Sequence, residues 1–194
     1  MTKRESTLIN MVVTLLVITT ISSASLGFVF QLTKEPIEIA QKIKRNFAIK
    51  AVLSGYDNEP AEEEFEIESF DGGEPLICYP AFKNGELTGF AVKTWTKNGF
   101  SGLIRLMAGF DQWGNIVNIS VLEHLETPGL GTKMADAEFK DQYMGKNPGK
   151  NNIAVKKDGG EVDAITAATI SSRAFSEAVE RAYKSLEKAG KFEK

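Results

Sequence analysis

The chain is poor in the residues on which metal and redox centres usually rest. Among its 194 residues there is one cysteine, Cys78, and one histidine, His124. A lone cysteine excludes an internal disulfide and the multi-cysteine sets that hold zinc or iron–sulfur clusters. Cys78 therefore reads as a small apolar residue of a strand. A lone histidine excludes a multi-histidine metal centre. Basic excess is missing too: 23 Lys and Arg stand against 26 Asp and Glu, a net charge of -3. Nucleic acid needs a positive footprint, so it is not an expected partner. No repeat or low-complexity stretch is present. Redox work, if any, must come from a bound organic cofactor or from partner proteins.

Charge is also absent locally. Ser6 to Thr33 contains no charged residue, and Leu8 to Leu32 is rich in Val, Leu, Ile and Phe. That is ample for a helix crossing ~30 Å of hydrocarbon. It is too long for a signal-peptide core, and Ser22-Ser23-Ala24-Ser25 is a poor cleavage site. No cysteine stands close after it to carry a lipid. Residues 1–33 are thus expected to form a short N-terminus and an uncleaved transmembrane helix. Lys3 and Arg4 precede this span, while Lys34, Lys42, Lys44, Arg45 and Lys50 come after it. Counted simply, the positive-inside rule puts the C-terminal domain in the cytoplasm, although that rule weakens for long translocated domains. Ile37, Ala40, Ile43, Phe47 and Ala51 predict a juxtamembrane helix within 34–55. Its Lys42, Lys44 and Arg45 suit lipid headgroups or a solvated face equally.

The remainder, 56–194, reads as one α+β domain with a largely antiparallel sheet. Asp57 to Glu68 is acidic, holds Pro60 and suits an exposed loop or sheet edge. Leu76–Phe82 and Leu87–Trp95 flank an Asn84-Gly85 turn, and Leu103–Phe110 and Ile116–Leu122 flank Asp111 to Asn115, giving two hairpins. Between them Thr96 to Gly102 reads as a plain glycine-bearing loop. A helix is expected over Lys133–Tyr143, and a third hairpin from Asn152–Lys156 and Glu161–Thr166 around Gly159-Gly160. Near the C-terminus, Phe175, Val179, Ala182 and Leu186 form one helical stripe, with Glu177, Glu180, Arg181 and Lys184 opposite and Gly190 as the stop.

Two motifs carry the functional reading. The first is Asp163 to Arg173, which places Thr166, Thr169, Ser171 and Ser172 where the last helix starts. Thr169, Ser171 and Ser172 are possible N-caps, and a helix N-terminus also favours a phosphate. The second is Glu126-Thr127-Pro128-Gly129-Leu130-Gly131, a Pro-Gly turn able to hold polar groups beside a ligand while Leu130 covers a face.

Together these stretches resemble the FMN-binding domain family. Its flavinylation motif usually reads Asp-x-x-Ser/Thr-Gly-Ala-Thr, matched here by Asp163, Thr166, Ala167, Ala168 and Thr169. The usual Gly is Ala167, which matters if the turn needs a positive φ. The resemblance implies FMN joined through its phosphate to Thr169. It implies further contacts from Thr166, Ala167, Ala168, Ile170 and Ser171, and from Glu126, Thr127, Leu130 and Gly131 of the second motif. Arg173 and the helix dipole would face the phosphodiester. With Asn98 to Gly102 and the N-terminal span, the chain is similar to the RnfG-type subunits of Rnf complexes, and more distantly to NqrC-type subunits of Na⁺-translocating NADH:quinone reductases. That implies an electron carrier, a flavin transferase during maturation, other subunits of the complex as partners, and a domain on the extracytoplasmic side of the cell membrane. A membrane-anchored module that binds a phosphorylated ligand without redox work is the competing class. The discriminating observation is whether flavin stays attached on denaturation.

Overall fold

The computed structural model describes residues 7–192, so Lys3 and Arg4 lie outside the described residues. The chain divides into two compact units, one ending at Lys44 and one beginning at Arg45. Helix α1, Leu8–Val52, supplies the first from Leu8 onward and the opening of the second. Its most apolar window has a mean hydropathy of 2.0, and the rest of the chain buries none of it. The hydroxyls of Thr14, Thr20 and Thr33 donate to the carbonyls of Asn10, Leu16 and Val29, one turn back. Such back-bonding satisfies a hydroxyl where no water is at hand. The helix is long and apolar enough to cross a bilayer, and it continues without a break through Pro36.

In the second unit a five-stranded antiparallel meander forms the frame. Strands β1 (Phe65–Ile67), β2 (Leu76–Lys83), β3 (Glu86–Gly99), β4 (Gly102–Asp111) and β5 (Ile116–Glu123) lie side by side in chain order. Alternation sorts their side chains onto two faces. Cys78, Phe90, Val92, Leu106, Ala108 and Ile119 face the amphipathic helix α3, Thr169–Lys188, and pack against Phe175, Val179, Ala182 and Leu186. The Thr94 hydroxyl, also buried there, donates to the Ala178 carbonyl at 2.9 Å. Burial pushes the Cys78 thiol up to about 12, which leaves it an inert apolar filler. The opposite face, through Tyr79, Ala81, Ala91 and Met107, takes the end of α1 at Ala48, Ile49, Val52 and Leu53. Helix α3 stops at Gly190, whose φ is 64°, with Gly190 and Lys191 N–H donating to the Glu187 and Leu186 carbonyls. This is the glycine stop expected for it.

Three expectations are corrected. Lys133–Tyr143 is not one helix but a 3-10 turn (Gly131–Ala135), a single α turn α2 (Ala137–Lys140) and a further 3-10 turn (Asp141–Tyr143). Asp136 sits between them in extended backbone, φ -72° and ψ 147°, which no helix can contain. The segment 152–166 is not a hairpin. Val155 and Val162 bridge in parallel sense around a 3-10 turn, Lys156–Asp158, and left-handed Gly159. A side chain on Gly160 would meet the Ala154 carbonyl at 1.9 Å, so this tight crossing requires glycine. Finally, Arg181 is not on a solvated face. The Ser69–Gly73 connection covers it, Asp71 pairs with it at 2.6 Å, and its guanidinium lies 4.6 Å from the Trp95 ring centre.

The close approach of α1 to the sheet depends on Gly109, where an added Cβ would lie 2.2 Å from the Val52 carbonyl. Gly109→Ala should therefore destabilise the full-length protein by about 1–3 kcal/mol, the usual cost of overpacking. Denaturant unfolding in detergent measures this, and an unchanged midpoint would contradict the packing described.

Candidate functional site

The last helix begins in an unusual way. Its N-cap is Ala168, φ -133° and ψ 41°, and no side chain caps the first turn. None of Thr169, Ser171 or Ser172 fills the capping role anticipated for it. Ser172 instead accepts from the Ile165 N–H at 2.9 Å and donates to the Ala168 carbonyl at 3.0 Å, pinning the turn from within. Ser171 points inward to Glu126, and Thr169 stands at the rim. The first N–H groups of α3 are thus left for something outside the helix to accept. That is the arrangement that favours an anion, because the helix dipole adds to the free donors.

The turn that aims these groups holds Ala167 at φ 61°. This is the left-handed region, where a Cβ costs roughly 1–2 kcal/mol. Glycine suits it better, and the Ala at this motif position carries the strain anticipated from the sequence. The Ala168 N–H donates to the Ile165 carbonyl at 3.0 Å, closing the turn despite that cost.

Opposite lies the Glu126–Gly131 loop. It winds on itself, with the Leu130 N–H donating to the Thr127 carbonyl at 3.2 Å and the Gly129 N–H to the Thr132 hydroxyl at 2.9 Å. Glu126 is 4% exposed. Its Oε1 accepts from the Ser101 N–H at 3.0 Å and its Oε2 from the Ser171 hydroxyl at 2.7 Å. One carboxylate therefore joins the β3–β4 turn, its own loop and the start of α3. Room for it exists because Gly99 and Gly131 lack side chains: a Cβ at either would lie within 2.7 Å of a Glu126 oxygen.

These pieces enclose a cavity of about 310 Å³. One wall is Ala167, Ala168, Thr169, Ile170 and Ser171; the other is Glu126, Thr127, Leu130 and Gly131. Every anticipated site residue lines it except Thr166, which is exposed outside it. Two further groups enter that sequence reasoning does not single out. Phe100, from the tight turn that reads as a plain loop, lines the cavity while 67% exposed. Lys157 reaches Thr169, its Nζ donating to Oγ1 at 3.3 Å. Phe100 lies in the Asn98–Gly102 stretch that contributes to the family resemblance, but that stretch reads as a plain loop and the sequence assigns Phe100 no contact. Lys157 gives no advance signal, because the turn that delivers it has the sequence of a hairpin tip.

Arg173 does not face Thr169 as anticipated. It is engaged in a two-pronged pair with Asp158, Nε to Oδ2 at 2.6 Å and Nη2 to Oδ1 at 2.7 Å. The hydrogen bonds from Arg173 hold the Asp158 carboxyl below its ordinary value of 3.8, and the same bonds raise the guanidinium. Asp163 is occupied elsewhere, with its carboxylate on Lys156 at 2.7 Å and its N–H on the Gln142 side chain.

Two outcomes are expected from this geometry. Ala167→Gly relieves the strained φ and should raise stability by about 1 kcal/mol, less what glycine adds to unfolded-chain freedom; a lower melting temperature would contradict the turn conformation. Asp158 has a depressed folded pKa, so its contribution is present above the ordinary carboxylate range and is lost as pH falls through the folded value. Asp158→Asn should therefore flatten the acid limb of a melting-temperature profile below about pH 4 while leaving the neutral limb parallel to wild type; an unaltered acid limb would contradict the pairing.

The family model described as FMN-binding domain matches residues 99–184, which hold the whole cavity. Across longer spans the chain is 31% identical over 175 residues to the G-type subunit of the ion-translocating oxidoreductase complex of Methanosarcina acetivorans, covering 88% of this chain and 90% of that one. It is 33% identical over 178 residues to the equally named protein of Photorhabdus laumondii, covering 87% of this chain and 85% of that one. Its fold is shared with a crystal structure of the C-type subunit of the Na⁺-translocating NADH-quinone reductase from Parabacteroides distasonis, at a TM-score of 0.52 and 19% identity over 75% of this chain and 89% of that one. With a motif-bearing cavity inside the matched domain and such identity over most of both chains, this protein belongs to the family of G-type (RnfG) subunits of ion-translocating oxidoreductase complexes.

Proposed function

We propose that the chain is an electron carrier of an Rnf-type complex, holding FMN in the cavity through a phosphoester to Thr169. The observation that carries this reading is the place of Thr169. Its hydroxyl stands at the rim of the cavity, on the first residue of a helix with no side-chain cap, with the Lys157 ammonium 3.3 Å away. Two independent features there favour a phosphate: the free N–H groups with the helix dipole they carry, and a cation. The volume falls in the usual range for a small-ligand pocket, and its walls are mainly apolar, as a planar ring requires. The residues present therefore fit the group.

A bound flavin accepts and releases one or two electrons, and the protein positions it and tunes its potential. The chain's own residues do the rest. Thr169 supplies the attachment oxygen. Lys157 and the amides of Thr169, Ile170 and Ser171 hold the remaining phosphate charge. Leu130, Ile170 and Phe100 shield the ring from water. On attachment Thr169 Oγ1 would bond to the flavin-side phosphorus of an activated flavin dinucleotide, the pyrophosphate bond would break with the nucleoside monophosphate as leaving group, and the hydroxyl proton would pass to a base of the flavin transferase. A covalent tether suits a site open to the extracytoplasmic side, where a dissociated cofactor would be lost to dilution. We accordingly place α1 across the cell membrane once and residues 56–194 outside the cytoplasm, with residues 34–55, the end of α1 and the three residues after it, as the juxtamembrane segment. The other subunits of the complex are the electron partners. The complex would couple electron transfer between ferredoxin and NAD to Na⁺ or H⁺ movement.

An NqrC-type subunit keeps the same cofactor chemistry and changes only the complex; a non-redox module for a phosphorylated ligand needs the phosphate site alone. The apolar wall built from Leu130, Ile170 and Phe100 favours a flavin over the latter. The chain made in a host with an active flavin transferase, denatured and run on a gel, should fluoresce. Thr169→Ala should abolish the band, while Thr169→Ser should retain part of it. A dark wild-type band would overturn the proposal.

A further inference from the structure

The carboxylate of Glu126 does more than fasten three segments. We propose that Glu126 is a tuning residue, whose buried negative charge lowers the reduction potential of the flavin in this cavity. The inference rests on the flavin reading above and extends it to the electron affinity of the site.

Four observations carry it. Glu126 is 4% exposed, so water screens it poorly. Both oxygens accept hydrogen bonds, from the Ser101 N–H and the Ser171 hydroxyl, so the carboxylate is held in place at both ends. Both of those donors are neutral, and among the described residues none of the ion pairs includes Glu126. Finally, Glu126 lines the same cavity as Thr169. A buried carboxylate with no ion-pair partner among the described residues thus belongs to the wall of the space the ring would fill. An electron entering that space adds like charge, and the repulsion acts through a medium of low dielectric. The hydrogen bonds keep the carboxylate buried without neutralising it.

A merely structural clasp and a field effect differ in the sign of their variants. Glu126→Gln keeps the shape and removes the charge. Ser171→Ala keeps the charge and removes a dipole whose positive end partly offsets it. The flavinylated full-length protein is titrated by spectroelectrochemistry in detergent, and the potential is read from flavin absorbance. Glu126→Gln should move the midpoint upward, raising the reduced-to-oxidised ratio at a fixed ambient potential on the order of tenfold. Ser171→Ala should move it slightly downward. Loosening of the site by either change would shift both in one direction, so shifts of the same sign, or none for Glu126→Gln, overturn the tuning role. If Glu126→Gln fails to load or fold, Ser171→Ala decides alone: a downward shift supports the role and an upward or absent shift overturns it. A wild-type protein without covalent flavin is a different result, which would sink the carrier reading before any potential is compared.

Discussion

The structure depends on how the chain enters its last helix. Ala167 takes a left-handed conformation, Ser172 fastens the turn from the inside, and α3 then starts with no side chain over its first N–H groups. A polar helix end left open is costly unless something accepts from it. Everything nearby serves to hold that opening in one place. Glu126 ties it to the loop across the cavity, and the sheet beneath fixes both through the packing of Phe175, Val179 and Leu186. The helix start thus leaves its first N–H groups free at the edge of a mainly apolar cavity. On the proposed reading that opening would take the phosphate and the cavity the ring system of a riboflavin phosphate.

Electrostatics divides the site into two halves. At the rim, Lys157 and the amino end of α3 present positive charge to whatever sits on Thr169. In the wall, Glu126 presents negative charge with only neutral donors around it. The neighbouring charges are tied up elsewhere: Arg173 with Asp158, Lys156 with Asp163, Lys146 with Glu161. The turn between Val155 and Val162 is closed by backbone hydrogen bonds from the Lys156 and Gly160 N–H groups to the Val162 and Val155 carbonyls, and that turn is what carries Lys157 to Thr169. The cation at the rim is therefore a product of the backbone crossing at Gly160, rather than of any local sequence signal.

The meander of β2 to β5 was legible because its hairpins are local and alternation is a strong signal, and α3 because its stripe is long. Nine of the ten anticipated site residues line one cavity, since two motifs far apart in sequence meet where the sheet brings the β5 end to the start of α3. What failed was short-range. Gly159-Gly160 carries a hairpin signal, yet Gly160 is there to let the chain pass the Ala154 carbonyl. Met134, Ala137 and Phe139 sit in a helical pattern that Asp136 interrupts with an extended backbone. Arg181 is polar by type, but its burial is decided by a connection on a distant part of the chain, at Asp71. Periodicity reports on neighbours along the chain, and these features are set by neighbours in space.

The central claim is chemical: one hydroxyl at the opening of α3 bears the cofactor. Tandem mass spectrometry of the proteolytic peptide holding Asp163 to Arg173, from protein assembled in its native membrane, tests it most directly. The account predicts that the peptide carries one FMN, with fragmentation placing the added mass on Thr169. An unmodified peptide in active complex, or a flavin mapped to another residue, would contradict it.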